Sequence, residues 1–390
     1  MDEHWEHRCV ISGIGISPIG RRTGTPGLAL TEQAAREAIA DAGLTPADID
    51  GITTVGETPL EDVVVALGLE PGWTGQGGTA RGGSMSGVHN ACRAAADGAA
   101  RHVLVYRSVA MLGGAVVSGD DARPRRREPS AGDELATDLG DMGELIAYHA
   151  YSAANWLGMH ARRHMHLYGT RKEHLGWIAL NARRHAARNP RAIYQDPMTM
   201  HDYLAARLIS DPLGLFDCDV PVDGACAFVV STADFAPDMP KPAVRVDAAA
   251  RAGGPGGWIY RPDYPKMASI DAARELWSRS TLRPDDLDFA ELYDGFSFLT
   301  LAWLEALGIC GEGESGPYVD GGERIALDGE LPLNTYGGQL SAGRMHGHWV
   351  LHEACTQLRG EAGSRQVDRH DVAAISTGGG PIATCMILTT

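Results

Sequence analysis

A chain of 390 residues is long enough for two core-bearing units. Its 44% hydrophobic and 22% charged composition is that of a soluble globular protein and excludes wholesale disorder. A formal charge of −16 argues against a nucleic-acid binder, whose phosphate contacts need a basic face, and leaves room for a phosphorylated small ligand held by a few local cations.

The opening Met-Asp-Glu-His-Trp-Glu-His-Arg is too acidic for a signal peptide, and no apolar run approaches the roughly 18 residues that span a bilayer. Seven cysteines are scattered without a C-x-x-C pair, which predicts a reducing, cytoplasmic setting and no structural zinc. Cys9 to Ile16 reads as a buried strand; Gly13 and Gly15 within it lack the spacing of a dinucleotide loop. Leu28 to Ala42 has helical spacing, opened by Thr31 and closed by Gly43, and an extended segment follows at Ile49 to Val55. Gly75 to Gly83 is a glycine-rich approach to a predicted helix, Ser84 to Ala100, with Ser84 at or near its start and Cys92 two turns in. His102 to Arg107 is a buried strand.

From about 113 to 210 the composition shifts to arginine, histidine and aromatic residues, with helical patterns at Asp141 to Tyr168 and Lys172 to Arg188. This reads as an inserted loop domain. It holds the one dense basic cluster, Arg123, Arg125, Arg126 and Arg127, either a solvated loop or a contact for a ligand or partner. His160 and His164 share a helix face but lack a third ligand at a metal-binding spacing. A turn at Asp223-Gly224 leads into a strand ending at Ser231.

An internal repeat follows. Ala34-Ala35-Arg36-Glu37 with Leu44, Pro46, Asp48 and Asp50 matches Ala272-Ala273-Arg274-Glu275 with Leu282, Pro284, Asp286 and Asp288, and one constant interval separates the copies. Two helix-turn-strand units so far apart indicate a duplicated α/β domain, divided here as 1–240 and 241–390. In the second copy, strand Phe289 to Leu292 runs into Tyr293-Asp294-Gly295-Phe296, at a strand exit where open α/β sheets place ligands. Asn334 to Gly347 has four glycines, carries Arg344 and His346, and leads into a helix, His348 to Leu358. That is loop chemistry suited to close backbone approach and anion contact. Val372 to Ile375 is a strand, Ser376-Thr377-Gly378-Gly379-Gly380 a third glycine-rich loop, and Ile382 to Leu388 the closing strand.

The duplicated halves, together with Ile209-Ser210-Asp211-Pro212-Leu213, Asp223-Gly224-Ala225, Asn334 to Gly343 and Gln357 to Gly363 through Val367, resemble the thiolase superfamily. The resemblance is strongest to sterol-carrier-protein-type thiolases and lipid-transfer-protein aldolases. It implies a five-layered αβαβα fold and a homodimer. Ser84 stands where thiolases have the nucleophilic cysteine, Tyr293-Asp294-Gly295-Phe296 where they have Asn-Glu-Ala-Phe, Arg344 at the Gly-His-Pro histidine, and Ser376 at the second cysteine. Tyr293 marks the aldolases, which cleave β-hydroxyacyl-CoA thioesters of steroid side chains by retro-aldol reaction. They work with a small OB-fold, zinc-ribbon-type partner, often fused to an enoyl-CoA hydratase, and commonly carry a second tyrosine where this chain has Arg344.

That chemistry needs a base, an enolate site and no covalent intermediate or bound cofactor, only the CoA thioester as substrate. The expected roles are Tyr293 as base or relay with its pKa lowered by Arg344, His346 as proton donor, and Asp294 as an orienting group. Backbone donors at Ser84, Gly337, Gly338, Gly378 and Gly379, with Ser376, are expected to meet the oxyanion, and the arginines at 123–127 the CoA phosphates. Two other readings remain: an acyltransferase acylated at Ser84 or Cys92, and a non-catalytic acyl-CoA or lipid-binding subunit.

Overall fold

Gly13 and Gly15 explain how the first layer closes: a Cβ at either would lie 2.0 and 2.1 Å from the carbonyl oxygens of Ala38 and Ala34. The strand β1 (Cys9–Ile16) therefore touches helix α1 (Gly27–Asp41) backbone to backbone. The computed structural model describes residues 4–55, 57–76, 83–110, 141–253 and 257–390, the side chains of 141 and 142 excepted. After α1 come β2 (Gly51–Thr54), α2 (Leu60–Leu67), β3 (Trp73–Gln76), α3 (Ser86–Ala96) and β4 (His102–Ala110). The region expected as an insertion contributes α4 (Asp141–Ala147), α5 (Ala153–Tyr168), α6 (Lys172–Ala186), α7 (Met200–Ala205) and a small hairpin, β5 (Leu208–Ser210) with β6 (Leu213–Gly214). Then follow β7 (Asp223–Thr232), β8 (Val244–Gly253), α8 (Ala268–Arg279), β9 (Phe289–Glu291), α9 (Ser297–Ala306), α10 (Ser315–Val319), α11 (His348–Leu358), β10 (Val372–Gly378) and β11 (Ile382–Thr389).

Nine strands form one sheet in the order β3-β2-β4-β7-β1-β8-β11-β10-β9. Read outward from the β1/β8 junction, β7 answers to β11, β4 to β10 and β2 to β9, and both outer pairs, β2/β4 and β9/β10, are parallel. The repeat is thus a structural one. Its junction is short, with only Val10 opposite Arg245 and Ile11 opposite Val244.

Alternation along the strands sends side chains to two faces. Ile11, Val105 and Phe228 from the first half-sheet and Val246, Phe289 and Ile375 from the second bury α3 and α11 between them. On the outer faces Leu104, Ala227 and Val229 meet α1, whereas Ala248, Ala374 and Ile387 meet α8 and α9. Helix, half-sheet, helix pair, half-sheet and helix make five layers, and the small residues Ala34, Ala38, Ala272 and Ala273 let the outer helices lie close.

Several local expectations are corrected. Thr31 lies inside α1, its hydroxyl donating to the Gly27 carbonyl at 2.7 Å, and the helix starts after Pro26. The strand expected from Ile49 begins at Gly51, because Thr45 and Asp48 cap a short 3-10 turn before it. Helix α3 begins at Ser86, so Ser84 is a turn residue ahead of it, and it ends at Ala96 with Gly98 at φ +72° soon after. Asp141 to Tyr168 is two helices, since Ser152 and Asn155 form a new N-terminal cap. Asp223-Gly224 is not a turn: both residues pair with β4 inside β7.

Candidate active site

Strand β9 delivers the site. Pro332 to Asn334 runs beside it, with the Ala290 N–H donating to the Pro332 carbonyl at 2.9 Å and the Asn334 N–H to the Ala290 carbonyl at 3.1 Å. Asn334 Oδ1 accepts from the Leu292 N–H at 2.7 Å, and the residue's φ of +52° turns the chain into the glycine-rich loop. The loop is then pinned to the strand exit. Asp294, fully buried, accepts from the Gln339 N–H at 2.8 Å, and its other oxygen sits 1.9 Å from where a Cβ on Gly338 would be. Ser376 Oγ, inside β10, accepts the Tyr293 N–H at 3.0 Å.

Around the half-buried Tyr293 ring stand charges from three other stretches. Arg344 donates through Nη1 to Asp219 at 3.2 and 3.4 Å, and its backbone N–H reaches the Val220 carbonyl at 2.8 Å. Asp219 is tied in turn by its N–H to the Gly295 carbonyl at 3.1 Å. Arg107, inside β4, places Nη2 2.6 Å from His346 Nδ1 and Nη1 against the Val55 carbonyl. A guanidinium only donates, so His346 Nδ1 accepts and the proton rests on Nε2.

These contacts set the protonation states. Burial pushes the Asp219 carboxyl up to about 7, outweighing the pull of Arg344, with Asp294 adding repulsion. Asp294 is pushed up to about 6 by burial, against the N–H donors of Gln339 and Leu340. His346 is held down to about 3 by burial and by Arg107 and Arg344, so it is a neutral hydrogen-bond donor at pH 7. Tyr293 corrects an expectation. Burial and the neighbouring Asp219 raise its phenol well above the ordinary value, and Arg344 and Arg107 only partly offset them. Its proton is retained at neutral pH.

The glycines also differ from the expectation. The Gly337 N–H donates to the Asn334 carbonyl at 2.9 Å and its Cα abuts Ala186, so it is not available to an oxyanion. Gly338 makes room for Asp294. Gly378 ends β10 opposite Ala383, and the Gly379 N–H donates to the Ile382 carbonyl at 3.0 Å, so this stretch is a β-hairpin turn and not an anion cradle. Ser84 stands two residues ahead of α3, half-buried. Arg123, Arg125, Arg126 and Arg127 lie outside the described residues.

Sequence reasoning passed over Asp219, Arg107 and His348. Arg107 had a signal, a charged residue closing an apolar strand; Asp219 had only its place among Asp217, Asp219 and Asp223. His348 opens α11 fully buried, with neither ring nitrogen bonded to a described residue, and burial with Arg107 and His346 nearby keeps it neutral. Among the described residues no three His, Cys, Asp or Glu side chains converge as a metal site. His160 meets the carbonyls of Pro265 and Trp258, and His164 meets Thr170 and Glu305. No described helix is long and apolar enough to cross a membrane.

Comparison with known proteins accords with this layout. Residues 258–390 match the family described as Thiolase C-terminal domain-like. The chain is 35% identical, over 90% of its length and 92% of the relative's, to the 17-hydroxy-3-oxo-4-pregnene-20-carboxyl-CoA lyase of Mycobacterium tuberculosis. It is 34% identical, over 95% of each chain, to the steroid side-chain-cleaving aldolase of Thermomonospora curvata. The solved structure of an Ltp2-ChsH2(DUF35) aldolase superposes with a TM-score of 0.88 at 32% identity, covering 98% of each chain. The chain belongs to the lipid-transfer-protein aldolase group of the thiolase superfamily.

Proposed function

We propose that this chain is a carbon–carbon lyase that cleaves a β-hydroxyacyl-CoA with a bulky, steroid-like acyl part into a ketone or aldehyde and a short acyl-CoA. The observation that carries the reading is the proton-transfer set around Tyr293: a carboxyl poised near neutrality, a protonated phenol, a cation and a neutral imidazole N–H. No activated thiol accompanies it among the described residues. Cys218, next to Asp219, is pushed up to about 12 by burial, and Cys92 is raised by its contact with Cys9 and by burial. An acyl-enzyme at Cys92 is therefore disfavoured.

In the retro-aldol step, ionised Asp219 takes the β-hydroxyl proton, directly or through Tyr293. The Cα–Cβ bond breaks as the carbonyl forms, and its electron pair passes into the thioester enolate. Arg344 and the His346 Nε2–H stabilise that charge. The same proton then returns to Cα, so the balance closes without a covalent intermediate or cofactor. Asp219 thus takes the proton-carrying role expected of His346, which acts as a fixed donor. Asp294 holds the loop that bears Arg344 and the neutral His346.

The name of the structural match supports a second protein; we take that partner to be a small OB-fold subunit and, on the family resemblance alone, this chain to be a homodimer. The test is release of short acyl-CoA from a tertiary β-hydroxyacyl-CoA by the purified chain, alone and with that partner. A fall of at least about tenfold in Tyr293→Phe, ~1.4 kcal/mol of transition-state stabilisation, is expected. No release under either condition, with thioester binding intact, would make the chain a non-catalytic subunit.

A further inference from the structure

Behind the catalytic loop, on the far side of the α6 C-terminal turn, is a cavity of about 540 Å³ whose lining includes Arg183, Arg184, Arg188, Met198 and Leu327. Its charge runs against that of the molecule. Three guanidinium groups face a single lining carboxylate, the exposed Asp328, in a chain whose formal charge is −16. Arg184 and Arg188 are exposed, and neither has a carboxylate within ion-pair distance among the described residues. Arg184 lies over the Trp177 ring at 5.7 Å, which stiffens it without neutralising it. Arg183 is buried at the inner end, flanked by the Tyr194 and Phe216 rings.

The inner end is bonded to the site. Arg183 Nε donates to Ser341 Oγ at 3.0 Å, three residues before Arg344, and its Nη1 donates to the Asp196 carbonyl at 3.2 Å. His185 Nδ1 lies 3.2 Å from the Asn334 carbonyl, where the catalytic loop begins.

We propose that this cavity is a binding site for a phosphorylated small molecule with an apolar portion, Arg184 and Arg188 holding the phosphate and Met198 and Leu327 the apolar part. Arginines suit that chemistry because their forked donors match phosphate oxygens in pairs. Occupancy would be felt at the catalytic loop through Arg183 and Ser341. Two sources share the chemistry: the nucleotide end of a CoA thioester, or a separate phosphorylated metabolite.

The experiment is calorimetric titration of the full chain with adenosine 3′,5′-diphosphate and with inorganic pyrophosphate, comparing wild type with the double variant R184E/R188E. Circular dichroism and melting check that the variant folds. Expected is saturable binding that weakens at least about tenfold in the double variant and falls with added salt, as an exposed charge contact should. If KM for the thioester rises in parallel at unchanged kcat, the substrate itself is the source; if KM is unchanged while probe binding is lost, the ligand is a separate molecule. Binding equal in both proteins, or no heat with either probe in wild type, overturns the site. The titration needs no turnover, so it stands or fails independently of the lyase reading.

Discussion

The two copies of the repeat leave their parallel strands in opposite ways. At the exit of β2, Thr58 is buried, its hydroxyl 2.6 Å from Ser108 Oγ and 3.2 Å from Thr31 Oγ1, while its carbonyl takes the Tyr106 hydroxyl at 3.0 Å. The hydroxyls around Thr58 satisfy one another there, and among the described residues the exit reaches the site only through the Val55 carbonyl, which takes Arg107. At the exit of β9, Asp294 keeps one buried oxygen without a partner among the described residues, Tyr293 lies among unlike charges, and Asp219 is held near its ionisation point. Duplication supplied the same frame twice, and the unsatisfied, electrostatically tense exit is the reactive one.

Asp219→Asn is the sharpest way to break that contrast. Activity is expected to fall by about 10²- to 10⁴-fold, the usual scale for a lost acid–base group, and the rise of kcat/KM through about pH 7 to disappear. Stability should move oppositely. A carboxyl whose pKa is raised by folding favours the native state at low pH and loses that contribution as pH rises from about 4 towards 7. The asparagine variant should therefore gain melting temperature on the wild type at pH 8 more than at pH 4.

Gly338→Ala puts a methyl on the Asp294 carboxylate at a residue with φ +61°, and is expected to cost about 1–3 kcal/mol in denaturant unfolding together with activity. Thr58→Val, behind the β2 exit, should cost about 1 kcal/mol and leave turnover unchanged; a loss of turnover would show that the Thr58 hydroxyl cluster also supports the site. The smallest effect is on a titration. Arg107→Met removes a donor and a charge from His346, whose depressed pKa gives stability that is present above about pH 6.5 and lost as pH falls towards about 3. Proton NMR of the ring should find its pKa higher in the variant, and the acid-side loss of stability smaller.

The repeat made the fold legible, because alanine spacing and the Leu-Pro-Asp-Asp pattern survive in both copies and fix helix, turn and strand together. The loop from Asn334 and the Tyr293 exit were legible as a place for chemistry. Their partners were not. Arg107 and His346 are 239 positions apart, and Arg344 and Asp219 are 125 apart, so only the folded sheet brings them together. Glycine was the most ambiguous letter: at Gly13 and Gly15 it admits a helix, at Gly338 a carboxylate and at Gly379 a hairpin, and none of these can be told from an anion cradle before the packing is known.

The β1/β8 junction, two residue pairs long, has a genetic consequence. Arg107 and Asp219 precede it, whereas Tyr293, Arg344 and His346 follow it, so neither copy encodes a working centre. A gene split between β7 and β8 should yield two inert polypeptides whose co-expression restores turnover. Substitutions at Asp219 and Arg344, though they fall in different copies, should then be inherited as a pair.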